Sequence, residues 1–347
     1  MPAAEAEAAA PLADDDIRDL LSSLPSHDHL VLAVSGGPDS CGMMAAFARW
    51  RDMGGAVPAL SVACVDHGLR PAAAAECAGV VAAAAGLGLT AQILRWEGGK
   101  PASGLQEAAR EARYRLLADH ARAVGAGAIV VAHHLEDQAE TVLMRLARGS
   151  GPLGLKGMAT ASRREGMDIL RPFLWVPKAR LAATAGAAGL VPVDDPSNRD
   201  PGFTRVRLRQ MLPALADEGL DAERLAILAG RIRMIEDALA RHAADLDTAS
   251  RQQSVVPGTV VFDATGWLDR PFIDVQQLLA AVLREVAPDG ARERLEALEA
   301  LAGAVLMAIA EGGPLRQTLQ GALVTVTAAG RVIVAREPPR QPARRSD

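Results

Sequence analysis

Residues 29–40 read HLVLAVSGGPDS. The run HLVLAV is short, continuous and apolar, as a strand buried on both faces requires. It breaks into Ser35-Gly36-Gly37-Pro38-Asp39-Ser40, a tight-loop composition, and the segment from Asp39 to Met53 is then apolar enough for a helix. Two glycines let the backbone come close to a ligand. A helix start offers unpaired N–H groups and a partial positive charge, which suits an anion such as phosphate. Ser35 and Ser40 add hydroxyl donors, and Asp39 can hold Mg²⁺ against the phosphate charge. No Gly-Lys-Ser/Thr follows, so the loop is not a Walker A loop. A plain glycine turn with Asp39 as helix cap is the alternative. The six-residue string between a strand and a helix favours phosphate.

Outward from this loop, further strands are expected at 58–65, 90–95 and 127–132, with helices at 72–86, 104–123 and 135–147. Alternation of this kind predicts an α/β fold with a parallel sheet covered on both faces. Ligands in such sheets bind at the carboxyl ends of the strands, where SGGPDS, DHGLR and HHLEDQ fall. From about 218 the pattern changes. Helical periodicity at 221–247, 274–286 and 291–311 surrounds a short strand at 258–263, and ALVTVTAAGRVIVAR reads as a hairpin. The expected organisation is a disordered tail at 1–20, a catalytic domain at 21–217, a smaller α+β domain at 218–337 and a second disordered tail at 338–347.

Bulk properties bound the function. A length of 347 residues suggests about two domains. Aromatics make up 3% of the chain and the only lysines are Lys100, Lys156 and Lys178, so the core is aliphatic and the basic residues are nearly all arginine. A net charge of −5 argues against a protein that coats nucleic acid non-specifically. It leaves room for local basic patches such as Arg163–Arg164 and Arg205, Arg207 and Arg209. Cys41, Cys64 and Cys77 form no CxxC pair and fit free thiols in a reducing compartment. The acidic, alanine-rich start is not a secretory signal and no long apolar run is present, so a cytoplasmic protein without a membrane span is expected.

The loop resembles the SGGxDS loop of the PP-loop (N-type) ATP pyrophosphatases, enzymes that adenylate an oxygen and let a nucleophile displace AMP. Further strings narrow the resemblance to the tRNA(Ile)-lysidine synthetases. They are Val65-Asp66-His67-Gly68-Leu69-Arg70, the helix from Leu105 to Tyr114, Ala132-His133-His134-Leu135-Glu136-Asp137-Gln138-Ala139-Glu140-Thr141, and Arg145 to Met158. Arg171-Pro172 and Asp194-Asp195-Pro196-Ser197-Asn198 match later pieces, so the likeness runs in order over about residues 29–210. Glu136 stands where that family usually has Asp, and Val206 where Asn is common.

The resemblance implies an adenine nucleotide alpha hydrolase-like domain that uses ATP and Mg²⁺ to join free L-lysine to C2 of a cytidine. The implied RNA is an isoleucine tRNA with a CAU anticodon. A homodimer is among the states allowed. Ser35, Gly36, Gly37, Pro38, Asp39, Ser40, Asp66 and His67 are then expected at ATP, with Asp39 on the metal. Asp137 and Glu140, three apart on one helix face, are expected to recognise lysine. Asp39, Asp137 and Arg113 are the expected catalytic residues. Arg110 and Arg113 can meet phosphate or the lysine carboxylate, or else pair with Glu107 or Glu111. Arg205, Arg207 and Arg209 are expected on tRNA phosphates, with a solvated basic face as the alternative; if helical, Arg205 and Arg209 share a face. A sulfur-transferring tRNA thiolase, a small-molecule amide synthetase and a non-catalytic tRNA-binding module are the rival readings. The absence of CxxC, the arginine cluster and the intact loop count against them in turn.

Overall fold

The computed structural model describes residues 9–101, 103–193, 202, 204–289 and 295–338. Its contacts separate into two units, Met1–Gly230 and Arg231–Asp347. The division lies inside a long helix, beyond the expected one at 217/218. The reason is packing: Leu225 and Ala229 of that helix bury against Ala139 and Val142, so its first turns belong to the first unit.

In the first unit, α1 (Asp14–Ser22) precedes β1 (His29–Ala33), α2 (Pro38–Asp52), β2 (Ala59–Asp66), α3 (Ala73–Gly86), β3 (Thr90–Arg95) and α4 (Leu105–Ala123). Then come β4 (Ala128–Val130), α5 (Leu135–Ala147), β5 (Ala161–Arg164), β6 (Met167–Leu170), α6 (Lys178–Ala187) and α7 (Thr204–Asp217). The N-terminal segment differs from the tail expected at 1–20. Leu12, Ile17 and Leu21 are buried, the Leu12 N–H donates to Thr184 Oγ1 at 2.9 Å, and Asp16 pairs with Arg180 at 2.6 Å. Three aspartates in the first turn of α1 suit the helix dipole. The alanine-rich composition upstream hides this apolar stripe. Residues 1–8 of the expected tail lie outside the described residues, as do 339–347 at the other end and the motif at 194–198.

The six strands order as β3-β2-β1-β4-β6-β5. All pairings are parallel except β5 with β6. The β5–β6 hairpin was not expected from sequence. Its turn places Glu165 at φ 51° and Gly166 at φ 75°, the double left-handed geometry of a tight hairpin, without the usual Asn-Gly or Asp-Gly signature. The chain winds outward from β1 through β2 and β3, then crosses back to β4. The carboxyl ends of β1 and β4 are therefore the switch point where ligands bind in open α/β sheets. Helix α2 starts there and is buried from Ser40 to Ala48. It packs so closely on α6 that a Cβ on Gly42 would sit 2.1 Å from the Leu181 carbonyl oxygen.

The second unit takes most of α8 (Ala222–Ser250). It continues with β7 (Arg251–Gln252), β8 (Val260–Asp263), α9 (Phe272–Val286), α10 (Leu295–Glu311), β9 (Leu315–Leu319), β10 (Ala322–Val326) and β11 (Arg331–Arg336). Its sheet, β7-β8-β11-β10-β9, is antiparallel throughout. One face packs on α9 and α10 through Phe262, Trp267, Leu279 and Leu301, giving the α+β architecture expected here. Among the described residues, no helix is long and apolar enough to cross a membrane.

Candidate active site

At the end of β1, Gly36 adopts φ 89°, a conformation costly for any other residue. The loop is closed by its own serines. The Ser35 N–H donates to Ser40 Oγ at 3.2 Å, and Ser40 Oγ–H donates to the Gly37 carbonyl at 3.0 Å. Gly37 is the N-cap of α2 and Pro38 opens the first turn, so no side chain caps this helix. Its first N–H groups and dipole are left to an external anion.

Asp39 is not the cap of its helix. It points from the first turn of α2 toward the start of α5. Its Oδ2 lies 3.5 Å from His134 Nε2 and 3.9 Å from Lys178 Nζ, while its Oδ1 is buried with no hydrogen-bond partner among the described residues. His134 is almost wholly buried and is held by three carboxylates. Its Nδ1 lies 3.0 Å from Glu136 Oε2, its Nε2 lies 3.5 Å from Asp137 Oδ2, and its backbone N–H donates to Asp137 at 3.1 Å. Burial alone would lower its pKa, but the hydrogen bonds to Asp39 and Glu136 and the charge of Asp137 prevail and raise it to about 9. A buried imidazolium thus joins α2 to α5. Glu136 extends the link by accepting the Lys178 backbone N–H at 2.9 Å. It caps α6, which Pro177 cannot cap itself.

Asp137 and Glu140 share a face of α5, as their spacing requires. Arg205 and Arg209 share a face of α7, and the two faces meet. Arg205 bridges Asp137 and Glu140, and Arg209 Nε donates to Glu140 Oε1 at 2.6 Å. Arg205 and Arg209 were expected on tRNA phosphates; here their guanidiniums contact these carboxylates. The cause is electrostatic. Glu140 is 0% exposed, and a buried carboxylate needs charged donors. Arg207 is not part of this cluster and donates to the Gly202 carbonyl and Thr204 Oγ1, each at 3.1 Å.

Between β1, β2, α3 and α4 lies a cavity of about 390 Å³ lined by Ser35, His67, Arg70, Glu76 and Arg113, among others. Arg70 and Glu76 pair across its wall at 2.9 Å. The His67 ring meets Trp96 edge-on at 6.0 Å, and its Nδ1 is buried without a partner among the described residues. Burial and the Arg113 charge hold His67 below its usual range, so the ring is neutral. Asp66 Oδ1 accepts the Gly68 N–H at 2.9 Å and so builds the turn that presents His67. Of the residues predicted from sequence, the fold thus gathers Ser35, His67 and Arg113 around one cavity. Gly36, Gly37, Pro38, Asp39 and Ser40 form the adjoining loop.

A model of the PP-loop domain family matches residues 11–215. The tRNA(Ile)-lysidine synthase of Methylobacterium sp. (strain 4-46) is 50% identical over 319 residues, covering 91% of each chain. That of Rhodopseudomonas palustris is 44% identical over 94% of this chain and 95% of its own. The chain belongs to the tRNA(Ile)-lysidine synthase family. Membership makes it an ATP-using ligase with a PP-loop nucleotide site. Among solved structures, a U34-tRNA thiolase from Methanococcus maripaludis with its [4Fe-4S] cluster superposes with a TM-score of 0.53. At 16% identity over 64% of this chain and 78% of that one, this likeness concerns the fold alone.

Two features of this lysidine synthase family member escaped the sequence reading. One is His134, which stands in the Ala132–Thr141 string read from sequence but was given no role there. The other is the support of the loop leading to Met158. The Gln138 side chain accepts the Met158 N–H at 2.6 Å and donates to its carbonyl at 2.9 Å, and Arg145 Nη1 donates to the Gly154 and Gly157 carbonyls at 2.8 and 3.0 Å. A Cβ on Gly157 would fall 2.6 Å from Gln138 Oε1, which accounts for glycine there.

Proposed function

We propose that this enzyme attaches free L-lysine to C2 of the wobble cytidine of an isoleucine tRNA with a CAU anticodon, changing its reading from AUG to AUA. ATP transfers its AMP group to the O2 oxygen of the cytosine and diphosphate leaves. The ε-amine of lysine then attacks C2, AMP departs with the oxygen, and the amine loses a proton. The observation that carries this reading is a conjunction at the switch point. An uncapped helix start, a nucleotide-sized cavity and an unpartnered oxygen of Asp39 adjoin one another. The names and coverage of the relatives support the choice of RNA and nucleophile.

We assign the diphosphate end of ATP to the loop Ser35–Ser40 and the adenosine to the cavity beside His67, with Arg113 directed at developing negative charge. Among the described residues no three His, Cys, Asp or Glu side chains form a metal cage. One carboxylate with a free oxygen beside a phosphate loop nevertheless suits Mg²⁺, which is bound by few protein groups and by substrate phosphates. Asp39 would hold it, and the ion would supply charge neutralisation at the phosphates. Asp137 and Glu140 are assigned to the lysine amines. Lysine binding at these groups exchanges an ammonium for part of the Arg205 and Arg209 contacts.

The test combines the purified protein, ATP, Mg²⁺, radiolabelled lysine and an isoleucine tRNA transcript bearing CAU, with mild alkali to strip aminoacyl esters. Alkali-stable label that needs ATP and is lost in the Ser35→Ala, Asp39→Ala double variant is expected. ATP cleavage to AMP without stable label would refute lysine as the nucleophile.

A further inference from the structure

A second arginine cluster lies on the α4 face of the sheet, and the assigned ATP and lysine groups do not use it. Tyr114 of α4 is 4% exposed. The Arg164 guanidinium, from edge strand β5, lies 4.2 Å from its ring centroid, and that of Arg110, one turn earlier on α4, lies 5.5 Å away. Beside them Arg171, itself buried, donates to His133 Nδ1 at 3.2 Å, to the Ala159 carbonyl at 3.0 Å and to Ser162 Oγ at 2.9 Å. Every one of these acceptors is neutral. Among the described residues neither Arg110, Arg164 nor Arg171 forms an ion pair with a carboxylate. Among the described residues Glu107 and Glu111, the partners considered from sequence, form no ion pair with Arg110. This contrasts with Arg205 and Arg209, which two carboxylates balance. His133 reports the imbalance: burial, then the charges of Arg171, Arg113, Arg205 and Arg110, hold it well below its usual range.

Like charges gathered without counter-charge raise the energy of the free protein, and an anion relieves it. The cation–π contacts hold the Arg164 and Arg110 guanidiniums over Tyr114, while Arg171 spends Nε and Nη1 hydrogens on the neutral acceptors just named and adds its positive charge to theirs. The position argues for a large substrate. Arg164 stands on edge strand β5, three strands or about 14 Å from β1 at the usual strand spacing, whereas Tyr114 shares a core cluster with Val31 and Ala33 of β1. The cluster therefore runs from the site toward the sheet edge, a span suited to a polynucleotide whose base occupies the site.

We infer that Arg110, Arg164 and Arg171, ordered around Tyr114, form a phosphodiester-binding site that grips the RNA backbone next to the nucleotide being modified. The inference rests on the tRNA reading above. It gives the first unit its own hold on the anticodon strand.

The test uses the full-length chain and the Arg110→Gln, Arg164→Gln double variant. tRNA affinity is measured without ATP or lysine over a series of KCl concentrations, and KM is measured for each substrate. The slope of log affinity against log salt should fall by about one per lost phosphate contact. KM for tRNA should rise about tenfold or more, with KM for ATP and for lysine unmoved. An unchanged slope, or a rise confined to ATP or lysine, overturns the site. If the double variant melts below the assay temperature, Arg164→Lys decides. It keeps the charge and so the slope, but loses the stacked fork and with it part of the affinity; wild-type affinity in Arg164→Lys overturns the proposal. If the wild type attaches no lysine to this tRNA yet binds RNA with a slope that the double variant lowers, the functional reading fails and the phosphate site stands.

Discussion

Replacing Glu140 by glutamine probes the inward turn of the arginines directly. Each carboxylate oxygen of Glu140 accepts from a different guanidinium, Oε2 from Arg205 and Oε1 from Arg209. Glutamine has nearly the same volume, so no cavity opens. Its carbonyl oxygen keeps one contact, but its NH₂ group presents donors to the other guanidinium. One charge-assisted hydrogen bond is lost, about 1.5–3 kcal/mol. Two guanidiniums are then left against Asp137 alone. The cost of breaking a buried pair, about 3–5 kcal/mol, is the ceiling. It is not reached because the Arg205 and Arg209 side chains are 40% and 36% exposed and can recruit water. The expected loss is about 2–3 kcal/mol, or about 4–12 °C in the melting temperature of a unit this size. Thermal unfolding followed by circular dichroism measures it, with Arg209→Gln and the double variant completing a cycle. A coupling of about 1 kcal/mol or more is expected for groups in direct contact. A fall below about 2 °C, with additive single and double variants, would refute the account of Glu140 as the charge that draws α7 onto α5.

Other outcomes follow from the same geometry. Burial alone would raise the pKa of Glu136, but hydrogen bonds from His134 and the Lys178 N–H hold it below 4.5. The resulting stability is present above that value and is lost as the pH falls through the lowered folded pKa. Glu136→Gln should therefore cost about 1–2 kcal/mol at neutral pH, with the gap to wild type closing in acid; a gap independent of pH in urea titrations contradicts this. Gly42→Ala drives a methyl into the Leu181 carbonyl and should destabilise by about 3 kcal/mol or more, measured by urea unfolding. Near-wild-type stability would mean that α2 and α6 pack differently. Burial pushes the Cys41 thiol up to about 11 and raises Cys64 and Cys77 as well. The native chain should resist iodoacetamide at mildly alkaline pH while the urea-unfolded chain is alkylated at all three sites, as counted by mass spectrometry.

Much of this protein was legible locally. The loop at 35–40, the strand and helix alternation around it, and the shared faces of Asp137 with Glu140 and of Arg205 with Arg209 all follow from residue order, because periodicity and turn chemistry act over a few residues. The placement of SGGPDS at the carboxyl end of a strand also followed from that alternation, whereas its position at the switch point came from the strand order. The fold alone decided which faces meet. Arg205 and Glu140 are 65 residues apart, and nothing local to either distinguishes a guanidinium that grips RNA from one that neutralises a buried carboxylate. His134 is likewise an ordinary histidine in sequence. Asp39, Glu136 and Asp137 converge on it only when α2 packs beside α5, and that convergence sets its charge. The helix at 14–22 was hidden by composition and revealed by its ion pairs with α2, through Asp14 and Arg49, and with α6, through Asp16 and Arg180. Patterns of a few residues specify elements. Burial and charge balance, which depend on the whole unit, specify what each side chain can do.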